Sequence, residues 1–451
     1  MLQRWKEILR VAWPLIIANS FWNLQLTIDR IFLGVHSTES LGAAMAVMGV
    51  FWVPMALLQQ TASYLTTFVA QYYGAKEYHK IGPYVWQALY VSVLGGVFFL
   101  LQNLVSPTFF QLVGHSPEIQ RLEIEYFNAL AYSALPTALV AAISGFFTGL
   151  GRTQTVIGIN FIGLALNAVL DYLLIFGNWG FPALGIAGAG YATALATYGS
   201  ALFAGFLLFR APHEQLYKIR SAWILQLDLV RQFLKYGIPS GLQWALEGLA
   251  FTVFLILIGR MSGGDAALSA SSIAITVMML SVLPTMGVAQ AVMALVGQHL
   301  GEKRSDLAET ATWDGVKISA IYIGIVALTF AVIPQFYLSW FENTKNPELW
   351  RQVQELGPVL LKIVALFTIM DSIYLNISFA LKGAGDTRYV SLVALTVPWP
   401  FMVLPAFLFR DHASGVTIAW LFVALYAFVV TLVLRHRFMG GRWKTMSVMQ
   451  S

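Results

Sequence analysis

Four carboxylates fall inside long apolar stretches of this 451-residue sequence: Asp29 in LTIDRIFLG, Asp171 in LNAVLDYLLIFG, Glu247 in GLQWALEGLAF and Asp371 in FTIMDSIYLNISFALKGAGDT. An ionised acid in hydrocarbon costs about 2.5–3.5 kcal/mol on insertion scales, so an acid kept there marks an ion or proton pathway by default. Asp29 and Asp171 each stand shortly before a glycine that ends its stretch, Gly34 and Gly177, which puts them at nearly equal depth. Two carboxylates sharing a low-dielectric pocket repel each other, and repulsion with desolvation favours holding a proton near neutral pH. Asn167, one turn before Asp171, is a hydrogen-bonding neighbour for that pocket. Glu247 and Asp371 fall near the middle of their stretches. Two carboxylates with amide and hydroxyl neighbours suit a small hard cation such as Na⁺. Gln243, one turn before Glu247, and Tyr374, one turn after Asp371, are the supporting candidates. The same pair suits a proton.

Bases that could neutralise these acids are scarce. Arg30 adjoins Asp29, but successive helical residues point about 100° apart. No Lys or Arg lies in mid-stretch close to Glu247 or Asp371; Lys362 is more than two turns nearer the far end. A cleft lined this way is negative and favours cationic cargo. Trp22, Phe51, Trp52, Tyr64, Trp244 and the Met278–Met279 pair are candidates for an adaptable apolar lining. The seven histidines lie in connections or near stretch ends without metal spacing, and there is no cysteine. No Gly-rich phosphate loop accompanies an aqueous domain. An enzyme, a nucleotide-driven pump, a resident cofactor and a nucleic-acid partner are therefore not expected, and small cationic or lipophilic molecules and membrane lipids are.

The elements that must carry these acids are membrane spans. The chain is 58% hydrophobic and 11% charged, against about 25% charged for a soluble domain, and its mean hydropathy is +0.70. Apolar stretches of the roughly 20 residues that cross a bilayer lie near 11–34, 41–72, 83–105, 121–148, 156–177 and 185–210. They recur near 237–259, 266–299, 312–334, 353–382, 389–409 and 416–435. The fold class is an all-α integral membrane protein of twelve spans. The basic amino-terminal start, followed by a stretch containing Asn19, Asn23 and Gln25, reads as a retained first span rather than a signal peptide. Alternate connections are basic: Arg4, Lys6 and Arg10; Lys76 and Lys80; Arg152; 210–235; Lys303 and Arg304; Lys382 and Arg388; and 435–444. The other side carries mainly Arg121, Arg260, Lys345, Arg351 and Arg410. The positive-inside rule then puts both termini in the cytoplasm of a bacterial inner membrane protein.

The sequence also repeats itself. RWKEILRVAWP (4–14) resembles LVRQFLKYGIP (229–239). FVAQYYGAKEYHKI (68–81) resembles LVGQHLGEKRSDLA (295–308), pairing Gln71 with Gln298, Gly74 with Gly301 and Lys76 with Lys303. FFTGLGRTQ (146–154) resembles FALKGAGDTR (379–388), pairing Gly151 with Gly385. Three ordered matches with a slowly drifting offset indicate a parallel duplication. The expected organisation is a six-span lobe over 1–210, a cytoplasmic linker over 211–231 and a second six-span lobe over 232–451, around a central cleft. The linker contains the start of an amphipathic stretch, SAWILQLDLVRQFLKYG. Along the repeat, Asp29 maps onto Phe254, Glu247 onto Trp22, Asp371 onto Thr137 and Asp171 onto Pro405, so the scaffold is duplicated and the acids are not.

At these residues the chain resembles the multidrug and toxic compound extrusion (MATE) family over nearly its whole length. The resemblance rests on the two six-span halves, Pro239 with Glu247 in span seven, MDSIYLNISFALKGAGDT, GLGRTQ and GQHLGEKR. It implies a monomeric antiporter that exports organic cations and hydrophobic drugs in exchange for inward Na⁺ or H⁺. In the NorM-like branch the coupling acids lie in spans one, seven and ten, the positions of Asp29, Glu247 and Asp371. LNAVLDYLLIFG instead resembles the DinF-like branch, where an acid in span five works with that in span one. There the following residue is usually Pro; here it is Tyr172. With both sets of acids present, the coupling ion stays open between Na⁺ and H⁺. The alternative within the superfamily, a lipid-linked saccharide flippase, calls for Arg or Lys in the cleft.

Overall fold

The computed structural model describes residues 2–113, 115–261, 264–342 and 347–449, and Lys345 lies outside them. Long helices follow one another from end to end: α1 (Leu2–His36), α2 (Thr38–Ser63, continued by Leu65–Gly74), α3 (Ile81–Leu100), α4 (Pro117–Ala131 with Ala134–Gly149), α5 (Gln154–Phe176) and α6 (Gly185–Leu208). The second set is α7 (Leu227–Gly259), α8 (Gly264–Gly301), α9 (Ser305–Val332), α10 (Pro347–Ala384), α11 (Thr387–Thr396, continued to Leu408) and α12 (Gly415–Met439). Every backbone group of a span must find its partner inside the segment, which only helices or closed barrels permit in lipid.

Among the described residues ten helices are long and apolar enough to span, and the two parts of α4, bent by 41°, make an eleventh. The twelfth is α1. Its 35 residues exceed the length required, but Asn19, Asn23, Gln25 and Asp29 dilute its hydropathy, the polar content a buried site needs. In α11, Pro398, Pro400 and Pro405 remove successive amide donors. The helix answers with a π-helical turn over Trp399–Val403, a local adjustment that re-satisfies freed carbonyls.

The contacts group the chain into two compact units. One holds the first residues through Trp13, then Leu246–Val296 and Ser305–Met446. Its core packs Phe254 of α7, Phe367 of α10 and Trp420 of α12, and the Trp420 indole donates to the Ser271 hydroxyl at 2.9 Å. The other unit holds Pro14–Ala245, Gly297–Arg304 and the residues from Ser447 onward. Its core packs Leu33, Phe51, Phe99, Phe110, Phe127 and Ile175.

The repeated turns share conformation as well as sequence. Lys76 and Lys303 both adopt φ 61°, and Gly151 and Gly385 adopt φ 73° and 103°. In the second unit the two glycine turns pack reciprocally. A Cβ on Gly74 would lie 1.9 Å from the Gln298 carbonyl oxygen, and one on Gly301 would lie 2.1 Å from that of Gln71. The Gln71 side-chain oxygen accepts the Val448 amide at 2.9 Å and the Ser447 hydroxyl at 3.1 Å, and Gln232 donates to the Val448 carbonyl at 2.6 Å.

Between α6 and α7, a short helix over Ala211–Tyr217 is followed by turns. The expected amphipathic stretch is helical only from Leu227. Before it, side chains of α3 hold the backbone: Trp86 donates to the Ile219 carbonyl at 2.6 Å, Gln87 bridges Ile224 and Gln226, and Tyr90 donates to Trp223.

Candidate functional site: two acid pairs in equivalent places

The first pair forms within one unit. Asp29 (5% exposed) on α1 and Asp171 (fully buried) on α5 bring their carboxyl groups into contact. Asn167, also fully buried, stands one turn before Asp171 on the same face of α5. Thr193 of α6 links them: its hydroxyl reaches Asp29 Oδ2 at 3.5 Å, and the Asn167 amide reaches that hydroxyl at 3.4 Å. Asp29 Oδ1 and both oxygens of Asp171 meet no donor among the described residues. Tyr126, buried on α4, lies within electrostatic range of both acids. Arg30 is exposed and makes no ion pair with Asp29, though it lies within electrostatic range of it. A small cavity of about 20 Å³, lined by Asp29, Thr193, Tyr126, Trp22, Trp52 and Thr137 among others, has room for about one water. The Trp22 and Trp52 rings lie 6.4 Å apart at its wall, and Phe51 joins them.

The second pair forms within the other unit. Glu247 of α7 and Asp371 of α10 are both half-buried and within electrostatic range of each other. The Tyr374 hydroxyl donates to Glu247 Oε1, tying α10 to α7. Tyr426 of α12 lies within electrostatic range of both carboxylates. Gln243, one turn before Glu247 on α7, is buried and belongs to the unit that holds Asp29 and Asp171.

Lys382 departs from the expectation that no base approaches this pair. It reads as a cytoplasmic loop residue, but α10 runs on to Ala384. The side chain is buried (1% exposed), its ammonium lies 4.2 Å from the centre of the Phe379 ring, and its charge acts on Glu247. Helical side chains slant toward the amino terminus, so the four-carbon stem reaches back up the span. Among the described residues Lys382 is the one buried Lys or Arg.

The repeat relates the two sites. Trp22 and Thr137, the counterparts of Glu247 and Asp371, both line the cavity beside Asp29. Asp29 in turn corresponds to Phe254, which is wholly buried against Trp420. Each unit thus has its polar site at the same place in the repeat, with the acids supplied from different positions. Sequence reading missed Thr193, Tyr126, Tyr426 and Lys382. The apolar candidates divide: Tyr64 is fully buried against Phe68, Met278 sits in a core and Met279 is 52% exposed.

Comparison with known proteins agrees with this architecture. A probable multidrug resistance protein NorM of Xylella fastidiosa is 28% identical over 449 residues, covering 97% of this chain and 92% of that protein. A protein of the same description from Thermotoga maritima is 25% identical over 451 residues, covering 98% and 94%. Among solved structures, a MATE in complex with MaL6 superposes with a TM-score of 0.88 at 21% identity over 97% of each chain. A MOP superfamily transporter from Pyrococcus furiosus superposes with 0.87 at 22% identity, covering 97% of this chain and 96% of that one. The MatE family model matches residues 14–173 and again 239–407. Its start falls on Pro14 and on Pro239, the residues the internal repeat pairs. The chain is a member of the MATE family.

Proposed function

We propose that this protein is a secondary active multidrug antiporter of the bacterial inner membrane, working as a monomer with both termini in the cytoplasm. It exports organic cations and lipophilic drugs in exchange for inward Na⁺ or H⁺ by alternating access. The observation that supports this most is the Asp29–Asp171 contact. Two buried carboxyl groups with three oxygens lacking a donor are tolerable only with a shared proton or cation between them. Occupation from outside favours release of the drug, and loss of the cation to the cytoplasm restores drug affinity. Asp29, Asp171, Glu247 and Asp371 carry the coupling cation; Asn167, Gln243 and Tyr374 support them, and Glu247 with Asp371 is the Na⁺ site if sodium drives the exchange. A saccharide flippase is not favoured, because Lys382 alone offers a buried positive charge among the described residues.

The test is efflux of a fluorescent lipophilic cation from proteoliposomes under a Na⁺ gradient or a pH gradient, imposed separately. One gradient drives efflux in the native protein, and Asp371→Asn or Glu247→Gln abolishes it while the protein still inserts. Undiminished drug resistance in cells expressing such a variant would refute the assignment.

A further inference from the structure

The unit that holds Glu247 and Asp371 also contains polar groups that the exchange described above does not use. Asn376 of α10 is fully buried. Its amide nitrogen donates to the Ser319 hydroxyl of α9 at 2.9 Å and to the Ser372 carbonyl at 2.8 Å. Its amide oxygen meets no donor among the described residues. That oxygen lies against Gly315 of α9, 2.9 Å from where a Cβ would stand. A buried carbonyl oxygen without a donor is a cost unless something else occupies it.

Its neighbours give it a direction. Asn376 is five residues beyond Asp371, about 7.5 Å along α10 toward the basic side. Asp314, next to Gly315 in sequence, is 1% exposed and accepts Arg4 Nε at 2.8 Å, with Lys317 at 3.9 Å. Arg4, Asp314 and Lys317 open onto a cavity of about 640 Å³ whose walls include Asp306, Glu309 and Trp313. Glu309 is held by Lys444 at 2.6 Å. From the depth of Asp371, α10 leads to Asn376, which touches α9 at Ser319 and at Gly315, the neighbour of Asp314, so this row of polar groups runs from the acid pair toward an acid-lined cavity with bases laid over its acids.

We propose that this row is a release path for the coupling cation, with Asn376 Oδ1 as its neutral oxygen waypoint and Arg4 as an electrostatic gate at its cytoplasmic mouth. The proposal rests on the antiporter reading and adds a route inside one unit. A neutral amide oxygen beside hydroxyls is a ligand set for a hard cation. The Arg4 guanidinium on Asp314 opposes re-entry of a cation from the cytoplasm.

The experiment compares native protein, Asn376→Leu, Asn376→Gln and Arg4→Gln in proteoliposomes of sorted orientation. Ethidium efflux is measured while Na⁺ or H⁺ is varied on one face at a time. In Arg4→Gln, inhibition by cation on the cytoplasmic face sets in at about tenfold lower concentration, because Asp314 loses its closer base and keeps only Lys317 at 3.9 Å. The dependence on the outer face is unchanged. Asn376→Leu slows turnover at saturating outer cation by about tenfold, and Asn376→Gln, which keeps the amide, restores part of it. The cation whose arm shows the sided shift is the one carried. If cytoplasmic inhibition is the same in Arg4→Gln as in native protein, or if both faces shift together, the path is refuted. If instead Asp371→Asn leaves ion-driven efflux intact, it is the antiporter reading that fails, and that result is separate. Melting temperature of each variant identifies one that failed to fold, and if Asn376→Leu does, the sided test on Arg4→Gln, a half-exposed side chain, decides alone.

Discussion

Replacing Gly74 by Ala adds one methyl group to the most crowded position of the repeated turns. That methyl carbon would sit 1.9 Å from the Gln298 carbonyl oxygen and 2.7 Å from its carbonyl carbon. Ordinary van der Waals contact begins near 3.4 Å, so the turn at Gln298 must retreat by about 1.5 Å. The obstacle is backbone, and no side-chain rotamer relieves it. Forced overpacking costs about 1–3 kcal/mol, and a backbone clash belongs at the upper end. At about 2–4 °C per kcal/mol for a unit of this size, the melting temperature in detergent falls by roughly 5–10 °C. Gly301→Ala meets the Gln71 carbonyl oxygen at 2.1 Å and does the same. The double variant loses less than the sum of the two, since the movement that relieves one clash relieves the other. Gly324→Ala, in the middle of α9 with nothing within 4 Å, gains about 0.5–1 kcal/mol of helix propensity instead. Indistinguishable melting of Gly74→Ala and Gly324→Ala would refute the close packing, and full additivity of the double variant would refute its reciprocity.

Asp171→Asn places an amide donor beside Asp29, so the pair no longer needs a shared cation; proton-driven efflux falls at least tenfold while stability holds or rises by about 1 kcal/mol. Liposome flux and melting read the two effects separately. Tyr374→Phe removes the donor to Glu247 and weakens the apparent affinity for the coupling cation by about tenfold, the image of about 1.4 kcal/mol, seen in the outer-cation dependence of efflux. In the segment after α6, burial against Phe146, Phe147 and Tyr217 pushes His213 below the usual histidine range. The folded segment therefore prefers the neutral ring, and its protection is present above about pH 6.5 and lost as the pH falls further. Amide exchange of residues 208–220 at pH 7.5 and 5.5 reports this, and His213→Gln flattens the difference.

Much of this was legible because a membrane span is a one-dimensional signal. Run length gave the helices, and each charged interruption identified an acid. Pairing Lys76 with Lys303 matched two residues that turn out to share a left-handed backbone, a conformation the pairing itself does not state. The bend in α4 and the π-turn of α11 were less visible, since proline marks where a helix yields but not how. Thr193 and Tyr126 could not be read as neighbours of Asp29, because they approach from other helices whose rotation the sequence does not state. Lys382 reads as the last residue of its span on the basic side, and its burial was not visible because the sequence does not state that its long side chain reaches back into the apolar layer.

The Gly74–Gln298 and Gly301–Gln71 contacts form one reciprocal set: the residue a glycine touches in the opposite turn is the counterpart of its own neighbour. That is the geometry of an isologous interface, the kind a two-fold homodimer makes with its own copy. In a dimer of that kind one substitution changes both copies of the surface, whereas inside one polypeptide each turn can change alone. The acids use that freedom: Asp29 corresponds to Phe254 and Glu247 to Trp22 along the repeat, so each half carries residues that its counterpart lacks.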